Sequence, residues 1–304
     1  MEIQTIQKIL DHLRTADVEF DEPMTKHTTF RIGGNADMFV VPSEMELVPA
    51  LTACIRNNIP YTVLGHGSNV LVSDLGIRGV TFVLGRPMSN LRMTSAGMVV
   101  SAGAPLGFCA QRAWEAGLTG LEFAAGIPGT IGGACVMNAG AYDSEMKDIV
   151  ESVRVFDPAD CRVKTLQASE LDFSYRHSII PEKNYVVIEA TLKLAQGNPA
   201  EIRAKMDDYA ARRKEKQPLN YPSAGSTFKR PEGNYAGKLI MDSNLRGFRI
   251  GDAQVSEKHC GFIVNRGHAM CADVLDVIGE VIDRVEECYG VKLEPEVKMI
   301  GEFT

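Results

Sequence analysis

The chain of 304 residues has the composition of a globular protein, with 45% hydrophobic and 23% charged residues. It carries 32 Lys and Arg against 39 Asp and Glu, and this net charge of −7 argues against a nucleic-acid partner, which requires a basic face. The seven cysteines are scattered with no C-x-x-C pair, so they indicate neither a disulfide framework nor a metal site, and we expect a cytoplasmic location.

The N-terminal sequence MEIQTIQKILDHL has an early acidic residue and apolar residues at helical spacing. It predicts neither a signal peptide nor a membrane span, so we expect no membrane partner. Ser43 and Glu46 form a capping box before an apolar run, and Gly117 follows a second helical pattern as its C-terminal glycine. In this first part of the chain we predict helices at 44–57 and 105–116, and strands at 61–64, 71–74, 79–84 and 97–104.

In the second part of the chain, Asn198 and Pro199 are typical of a helix start, and the composition becomes abruptly charged after them. We therefore place a domain boundary near residue 198 and expect strands and helices to be mixed throughout, in about two lobes. We predict helices at 199–216, 235–242 and 272–289, with Gly290 ending the last, and strands at 152–157, 185–195, 261–265 and 291–301.

Two segments of the first lobe are rich in glycine. The loop GHGSN (65–69) follows a predicted strand, and GIPGTIGGACVMNAGAY (126–142) has too few large side chains to fill a core. Bare backbone lets consecutive N–H groups approach an anion closely. No Lys follows these glycines as a P-loop requires, and 65–70 lacks the last glycine of the Rossmann fingerprint. Together the two segments favour a nucleotide pyrophosphate over two plain turns.

Five motifs make the sequence resemble a known family. GHGSNVLVSD, GIPGTIGGACVMNAGAY, SYRHS, AGSTFKRP and LEPEV occur in this order, and together they resemble the UDP-N-acetylenolpyruvoylglucosamine reductases of peptidoglycan precursor synthesis. The resemblance runs from TTFRIGG (28–34) to LEPEVKMIG (293–301). It implies an α+β fold with a two-subdomain FAD-binding lobe of the vanillyl-alcohol-oxidase/p-cresol-methylhydroxylase type and a smaller C-terminal α+β substrate domain. The corresponding domains would be 1–84, 85–198 and 199–304.

The resemblance also implies the reaction, in which NADPH reduces UDP-N-acetylglucosamine enolpyruvate through noncovalently bound FAD. The flavin would deliver a hydride to the vinyl carbon, and the protein would supply a proton and stabilise the developing charge. A hydroxyl at Ser226 matches the proton donor, Arg176 matches the residue that polarises the carboxylate, and Glu296 matches the third catalytic residue. Glu294 would lie on the same face of a strand, so both carboxylates stay candidates, and the motif register favours Glu296.

The remaining site residues follow from the same motifs. Tyr175 would line the pocket beside Arg176, while Lys216 and Lys229 are candidate substrate contacts. His66 raises the question of covalent flavin attachment, which this family does not use. The expected cofactor-binding residues are Gly65, Gly67, Ser68, Asn69, Gly126, Gly129, Thr130, Gly132, Gly133, Asn138 and Gly140.

One departure and three alternatives qualify this interpretation. SIIPEKNYVVIEA has no room for the Tyr-bearing insertion of some members, so the chain resembles the shorter subclass. For the oligomeric state, we expect a monomer. Ser226-Thr227-Phe228-Lys229 also fits the S-x-x-K motif of acylating hydrolases, but K-T-G and S-D-N are absent. An oxidase of the same fold and a nucleotide-binding protein without turnover are the other two alternatives.

Overall fold

The structure, a computed structural model, describes residues 3–303 and divides the chain into two compact units. The first unit contains the segments up to Glu19, from Met38 to His66 and from Gly79 to Arg213. The second contains Phe20–Asp37, Gly67–Arg78 and the chain from Lys214 onward. Neither unit is continuous in sequence, so the predicted division at 84 and 198 stays a prediction.

Within residues 3–303 there are eight α-helices, in addition to five short 3-10 turns. The helices are α1 (Ile3–Leu10), α2 (Glu44–Arg56), α3 (Leu106–Glu115), α4 (Ile131–Met137), α5 (Ile179–Glu182), α6 (Pro199–Lys216), α7 (Ala236–Asp242) and α8 (Cys271–Tyr289). The strands are β1 (Asp17–Pro23), β2 (Asn35–Val41), β3 (Tyr61–Leu64), β4 (Val70–Val72), β5 (Ile77–Val83), β6 (Leu91–Thr94), β7 (Gly97–Ser101), β8 (Leu118–Thr119), β9 (Gly140–Ala141), β10 (Ser144–Glu145), β11 (Val150–Asp157), β12 (Arg162–Gln167), β13 (Val186–Lys193), β14 (Ala195–Gln196), β15 (Arg249–Ile250), β16 (Ala253–Val255), β17 (Ile263–Asn265) and β18 (Lys298–Ile300).

The first unit is built on a five-stranded antiparallel sheet with the order β12-β11-β13-β7-β6. The four-stranded sheet β1-β2-β5-β3 contains the parallel pair β3 and β5, and its strands β1, β2 and β5 include the segment boundaries. The β-branched and apolar residues of β11 and β13 are buried, as the alternating pattern predicts. Helices α3 and α4 add Leu106, Cys109, Ile131 and Cys135 to the same core.

Helix α6 begins where the sequence predicts and packs mainly within the first unit. The Asn198 side chain accepts a hydrogen bond from the Ala200 N–H at 2.9 Å, which is the predicted N-terminal cap. Ile202 and Met206 are the buried residues of this otherwise charged helix, and both belong to the first core. The first unit therefore ends at Arg213, inside α6 and after the predicted boundary.

The second unit has its own core, formed by a three-stranded antiparallel sheet, β15-β16-β17, and helices α7 and α8. Strand β18 pairs in parallel with β4, which joins the end of the chain to the loop after residue 67. The Asp74 carboxylate accepts hydrogen bonds from the N–H groups of Cys271 and Ala272, at 2.8 and 3.0 Å, and so caps α8.

Helix and strand predictions are confirmed for most elements, with corrections at several strand ends and in the glycine-rich stretch. Strand β7 ends at Ser101 rather than 104, and the final strand covers only Lys298–Ile300. The prediction that the glycine-rich stretch adds nothing to a core is wrong, because Ile131–Met137 forms α4 and buries Ile131, Ala134 and Cys135. Among the residues described, no helix is both long and apolar enough to cross a bilayer.

Glu46 is the buried carboxylate of the predicted capping box. Its two oxygens accept hydrogen bonds from Ser43 at 2.6 and 2.9 Å, and from the N–H groups of Arg14 and Thr15 at 2.7 and 2.6 Å. Burial raises the pKa of Glu46, but these hydrogen bonds outweigh it and lower the pKa from 4.5 to about 2. The ionised side chain therefore stabilises the folded state.

We expect Glu46→Gln to lower the free energy of unfolding at pH 7 by about 3 kcal/mol, because the variant loses the ionised carboxylate that the fold stabilises by lowering its pKa from 4.5 to about 2. The folded pKa lies below the unfolded one, so this stabilisation is present above about pH 4.5 and disappears as the pH falls towards 2. Urea unfolding of both proteins at pH 7 and pH 3 measures the difference. Glu44→Gln, in the same helical turn, is the control, and a wild-type advantage independent of pH would contradict the prediction.

Candidate functional site

The glycines of α4 have two different roles in the first unit. A Cβ at Gly132 would lie 2.9 Å from the Cβ of Ala102, and the Gly132 N–H donates to the Ala102 carbonyl at 2.8 Å. Gly132 is therefore required for close packing of the helix against the chain after β7. Gly133 is exposed, and a Cβ there would meet only Thr130 Oγ1, at 3.7 Å. Of the two, Gly133 is the one that leaves an open backbone surface.

Several backbone N–H groups around the start of α4 already have protein acceptors. Gly129 donates to the Ile127 carbonyl and Ile131 to the Ala104 carbonyl, both at 2.9 Å, while Gly133 donates to Thr130 Oγ1 at 3.4 Å. These groups are used to hold the turn, so the expectation of a chain of unpaired N–H groups does not apply to this segment. What the segment offers is bare backbone surface beside a helix start.

The loop at 65–69 differs from the start of α4, because most of its backbone N–H groups are not used within the described part of the protein. Its backbone N–H groups from His66 to Asn69 find no hydrogen-bond acceptor within residues 3–303, although Gly67 is buried. Gly67 has a φ of 61°, and a Cβ there would collide with the His27 carbonyl oxygen, so only glycine fits. A buried N–H without a protein partner is costly unless a ligand or water accepts from it. A Cβ at Gly65 would collide with Thr130 Oγ1, which shows that the end of β3 adjoins the start of α4.

Asn138 connects α4 to the SYRHS motif. It is fully buried, ends α4 in the left-handed conformation with a φ of 41°, and donates from Nδ2 to the Ser174 carbonyl at 2.9 Å. Its Oδ1 accepts from the Lys147 N–H at 2.9 Å. Both polar atoms of Asn138 thus have protein partners, and the side chain holds the glycine-rich stretch against the turn that carries Arg176.

Arg176 lies at the tip of a tight turn. Ser174 and His177 pair on either side of it, and Arg176 itself has a φ of 55°, which costs a non-glycine residue about 1 kcal/mol. Its Nη2 donates to the Gly140 carbonyl at 3.1 Å, and its guanidinium lies 5.0 Å from the ring centre of Tyr175, which is half exposed. The turn and these contacts restrict the orientation of the guanidinium plane.

Arg213 is a basic residue beside the glycine-rich stretch that the sequence analysis did not identify. A Cβ at Gly126 would stand 3.3 Å from both Cδ and Nη1 of Arg213. Burial lowers the pKa of the guanidinium, which makes no ion pair in the described part of the chain. Nearby, Tyr142 stacks on Tyr209 at 4.1 Å between ring centres. Helix α6 is charged on nearly every face, so its sequence does not indicate which arginine points inward.

In the second unit, hydrogen bonds connect three of the predicted motifs. The Glu296 N–H donates to the Thr227 carbonyl at 2.7 Å, which brings the backbone after Ser226 against LEPEV. Asn69 Nδ2 donates to the Glu296 carbonyl at 3.4 Å, and the Asn69 carbonyl accepts from Lys298 at 2.9 Å. Ser226 follows Gly225, whose φ is 80° and where a Cβ would meet nothing within 4 Å. Ser226 itself is partly exposed, and its segment is connected through Glu296 to Asn69 of the predicted cofactor loop.

The two candidate carboxylates differ in their surroundings. Both precede β18 and flank an isolated antiparallel bridge between Pro295 and Phe228, so their sharing of one face stays a prediction. Glu294 is exposed and ion-paired with Lys229 at 2.9 Å, and this hydrogen bond lowers the pKa of its carboxyl group. The arrangement also opposes the S-x-x-K alternative, because residues 226–229 are not helical and Lys229 Nζ donates to the Glu294 carboxylate at 2.9 Å.

The predicted site residues fall into both units. Arg176, Tyr175 and the glycine-rich stretch 126–142 belong to the first, while Ser226, Lys229, Glu296 and Lys216 belong to the second. Lys216 is exposed at the end of α6. The loop 65–69 passes from the first unit to the second between His66 and Gly67.

Comparison with known proteins identifies the family. Residues 217–300 match the model of the UDP-N-acetylenolpyruvoylglucosamine reductase C-terminal domain, and residues 36–167 match an FAD-binding domain. The UDP-N-acetylenolpyruvoylglucosamine reductase of Agathobacter rectalis is 51% identical over 98% of each chain. That of Caldanaerobacter subterraneus subsp. tengcongensis is 49% identical over 98% of each chain. The chain belongs to the UDP-N-acetylenolpyruvoylglucosamine reductase family.

Solved structures agree with this assignment and confirm the predicted fold class. The crystal structure of the reductase from Thermus caldophilus matches this reductase with a TM-score of 0.79 and 37% identity, over 94% of this chain and 98% of that one. A Phl p 4 glucose oxidase variant, only 13% identical, shares the fold over 64% of this chain and 44% of its own, with a TM-score of 0.50. This reductase is accordingly an FAD-dependent oxidoreductase.

The residues present fit FAD on two observations. The buried Gly67 and its neighbours offer N–H donors that have no acceptor in the described part of the chain, which suits the oxygens of a diphosphate. The exposed Gly133 leaves the backbone open where the end of β3 adjoins the start of α4, and Arg213 lies beside Gly126 in the same stretch. In the first unit, the bare surface at Gly133 and the Arg213 guanidinium would hold the cofactor. In the second unit, the N–H groups of residues 67–69 offer donors of the kind that a diphosphate requires.

Proposed function

We propose that this reductase uses NADPH to convert UDP-N-acetylglucosamine enolpyruvate to UDP-N-acetylmuramate. Family membership supports the substrate class, and one observation supports the site: hydrogen bonds join Asn69 of the cofactor loop, Glu296 and the residue after Ser226 within the second unit. When bound, FAD supplies the chemistry of hydride transfer from NADPH to the vinyl carbon. The remaining steps, which bind the substrate and complete the addition, are carried out by side chains of the chain.

Arg176 has the role of binding the carboxylate that is conjugated to the double bond. Its planar fork suits a carboxylate, and charge that develops next to the carboxylate spreads into it in the transition state. The tight turn and the bond to the Gly140 carbonyl limit the motion of the guanidinium before substrate binds. Such preorganisation matters because a side chain that has to reorient contributes less to lowering the barrier.

Ser226 has the role of proton donor to the carbon beside the carboxylate. A hydroxyl is a weak acid, so it is suited to this task only when the acceptor is strongly basic, as the enolate-like intermediate is. Ser226 is partly exposed, so the residue is accessible to a ligand. We assign the third catalytic role to Glu296 on the motif register; the Glu294 side chain is exposed and pairs with Lys229 at the surface.

An anaerobic titration in two steps tests this function. NADPH added to the purified yellow protein should bleach the visible flavin absorbance, and the enolpyruvyl sugar nucleotide should then restore it with formation of the saturated product. A simple alcohol or hydroxy acid in place of NADPH serves as the control. Bleaching by the alcohol, or no return of colour with the enolpyruvyl compound, would contradict the proposal.

A further inference from the structure

Thr227, directly after the proposed proton donor, makes more hydrogen bonds than its neighbours in the AGSTFKRP motif. Its N–H donates to the Gly261 carbonyl at 2.8 Å, and its own carbonyl accepts from the Glu296 N–H at 2.7 Å. Its side-chain Oγ1 accepts from the Ile263 N–H at 3.1 Å. Thr227 thus connects its own segment to residues 261–263 and to Glu296, and it is only 4% exposed.

The backbone bonds of Thr227 can form with any residue, but the third bond depends on the hydroxyl. Ile263 is 1% exposed and pairs with Val255 in the β16–β17 hairpin, so its N–H has no access to water if the hydroxyl is removed. A buried N–H without an acceptor is strongly unfavourable, and the local chain shifts to avoid it. The hydroxyl therefore holds the Thr227 residue at a fixed distance from β17.

The residue on the other side of Ser226 provides no comparable restraint. Gly225 has a φ of 80° and faces open space, and glycine is the most conformationally free residue. Before Gly225, Ala224 is buried in the second core, and Ser223 pairs with Val264 and accepts at its carbonyl from Thr29 Oγ1 at 2.7 Å. The direction in which the Ser226 hydroxyl points is therefore determined mainly from the Thr227 side.

The loop that receives the Thr227 N–H is itself held by a side chain. His259 Nδ1 accepts from the Gly261 N–H at 3.1 Å, and a Cβ at Gly261 or Gly237 would lie 3.0 or 3.3 Å from His259 Cε1. The imidazole thus packs between two glycines and fixes the peptide whose carbonyl binds Thr227. The Gly261 carbonyl, which accepts from the Thr227 N–H, is therefore held in a fixed position.

We propose that Thr227 is a positioning residue for proton transfer: its hydroxyl, through Ile263, holds Ser226 in the orientation from which it donates its proton beside Glu296. This inference rests on the proposed function, because it requires Ser226 to be the donor. It assigns to Thr227 no contact with the substrate or the cofactor. A loss of the hydroxyl should therefore affect the protonation step and leave flavin binding and flavin reduction nearly unchanged.

The test measures the two half-reactions of the holoenzyme by stopped-flow flavin absorbance. For Thr227→Val we expect reoxidation by the enolpyruvyl substrate to slow by about 10-fold to 100-fold, the range expected for a small misplacement of a reacting group, with reduction by NADPH within about 2-fold of wild type. Thr227→Ser keeps the hydroxyl and should stay within about 3-fold of wild type in both. If the Val variant fails to fold, Thr227→Ala is compared with Thr227→Ser, because these two side chains differ only in the hydroxyl.

Thr81 is a matched control, because its buried Oγ1 has no hydrogen-bond partner among the described residues. Thr81→Val should leave both half-reactions unchanged. Ser226→Ala,Thr227→Val should reoxidise no more slowly than Ser226→Ala, since Thr227 acts through Ser226. Fast reoxidation in Thr227→Val, equal losses in both half-reactions, or multiplying losses in the double variant would overturn the inference. If Ser226→Ala itself reoxidises at the wild-type rate, the proton-donor assignment fails, and the inference fails with it.

Discussion

Ser226→Ala is expected to slow reoxidation of the reduced flavin by the enolpyruvyl substrate by about 1000-fold or more, while reduction by NADPH stays within about 2-fold of wild type. The physical reason is that reduction requires no proton from this hydroxyl, whereas completion of the addition does. General acid catalysis by a positioned group contributes about 100-fold to 10,000-fold. The other hydroxyl in the 225–229 segment is that of Thr227, and its hydrogen bond from the Ile263 N–H keeps it from taking the place of Ser226. Separate rapid-mixing measurements of the two half-reactions give both rates.

Ser243→Ala is a suitable control for this variant. Ser243 lies in the same unit, is 6% exposed, and its hydroxyl donates to the Leu239 carbonyl at 2.9 Å at the end of α7. Its removal should lower stability by about 1 kcal/mol without separating the two half-reactions. If Ser226→Ala slows both half-reactions to the same extent, the hydroxyl has a structural role, and the proton must come from another group.

The elements that could be predicted from the sequence are those whose ends carry local signals. Ser43 with Glu46, Asn198 before Pro199, and Gly290 after α8 each mark a boundary that the structure confirms. In each case, the stabilising hydrogen bond or the left-handed backbone involves residues within a few positions of each other. Such signals do not depend on the rest of the fold, so the sequence reveals them directly.

Two of the wrong expectations concern elements that depend on tertiary packing. Glycine disfavours helices, yet Ile131–Met137 is helical because its small residues allow it to pack against the chain near Ala102. The alternating pattern at 291–297 is typical of a strand, but Pro295 lacks an N–H and the segment pairs with residues 227–229 at isolated points. Neither packing partner can be identified from the local sequence.

The candidate site was predicted mainly through the family motifs. Ser226 and Glu296 are far apart in sequence, and only the motif register predicted that they act together, while the structure connects their backbones through Thr227. Thr227 and Arg213 were missed for different reasons. The role of Thr227 depends on a contact with Ile263, and that of Arg213 on which face of α6 meets Gly126. Periodicity cannot reveal either contact.

Gly133→Val is expected to weaken FAD binding by about 100-fold or more while the apoprotein stays folded. The valine side chain would project from the exposed first turn of α4, where the glycine Cβ position meets no protein atom nearer than Thr130 Oγ1 at 3.7 Å. The fold therefore tolerates the side chain, whereas a cofactor that approaches the bare backbone does not. Titration of the apoprotein with FAD, followed by quenching of flavin fluorescence, measures the dissociation constant independently of activity.

Two other glycines make this prediction specific. Gly132→Val should prevent folding or greatly reduce soluble yield, because the new side chain would press on Ala102 in the core, where its Cβ alone comes within 2.9 Å. Gly279 is helical like Gly133 and has no atom within 4 Å of a Cβ, so Gly279→Val should fold and bind FAD normally. A Gly133→Val protein with wild-type FAD affinity would remove the bare surface of α4 from the cofactor site.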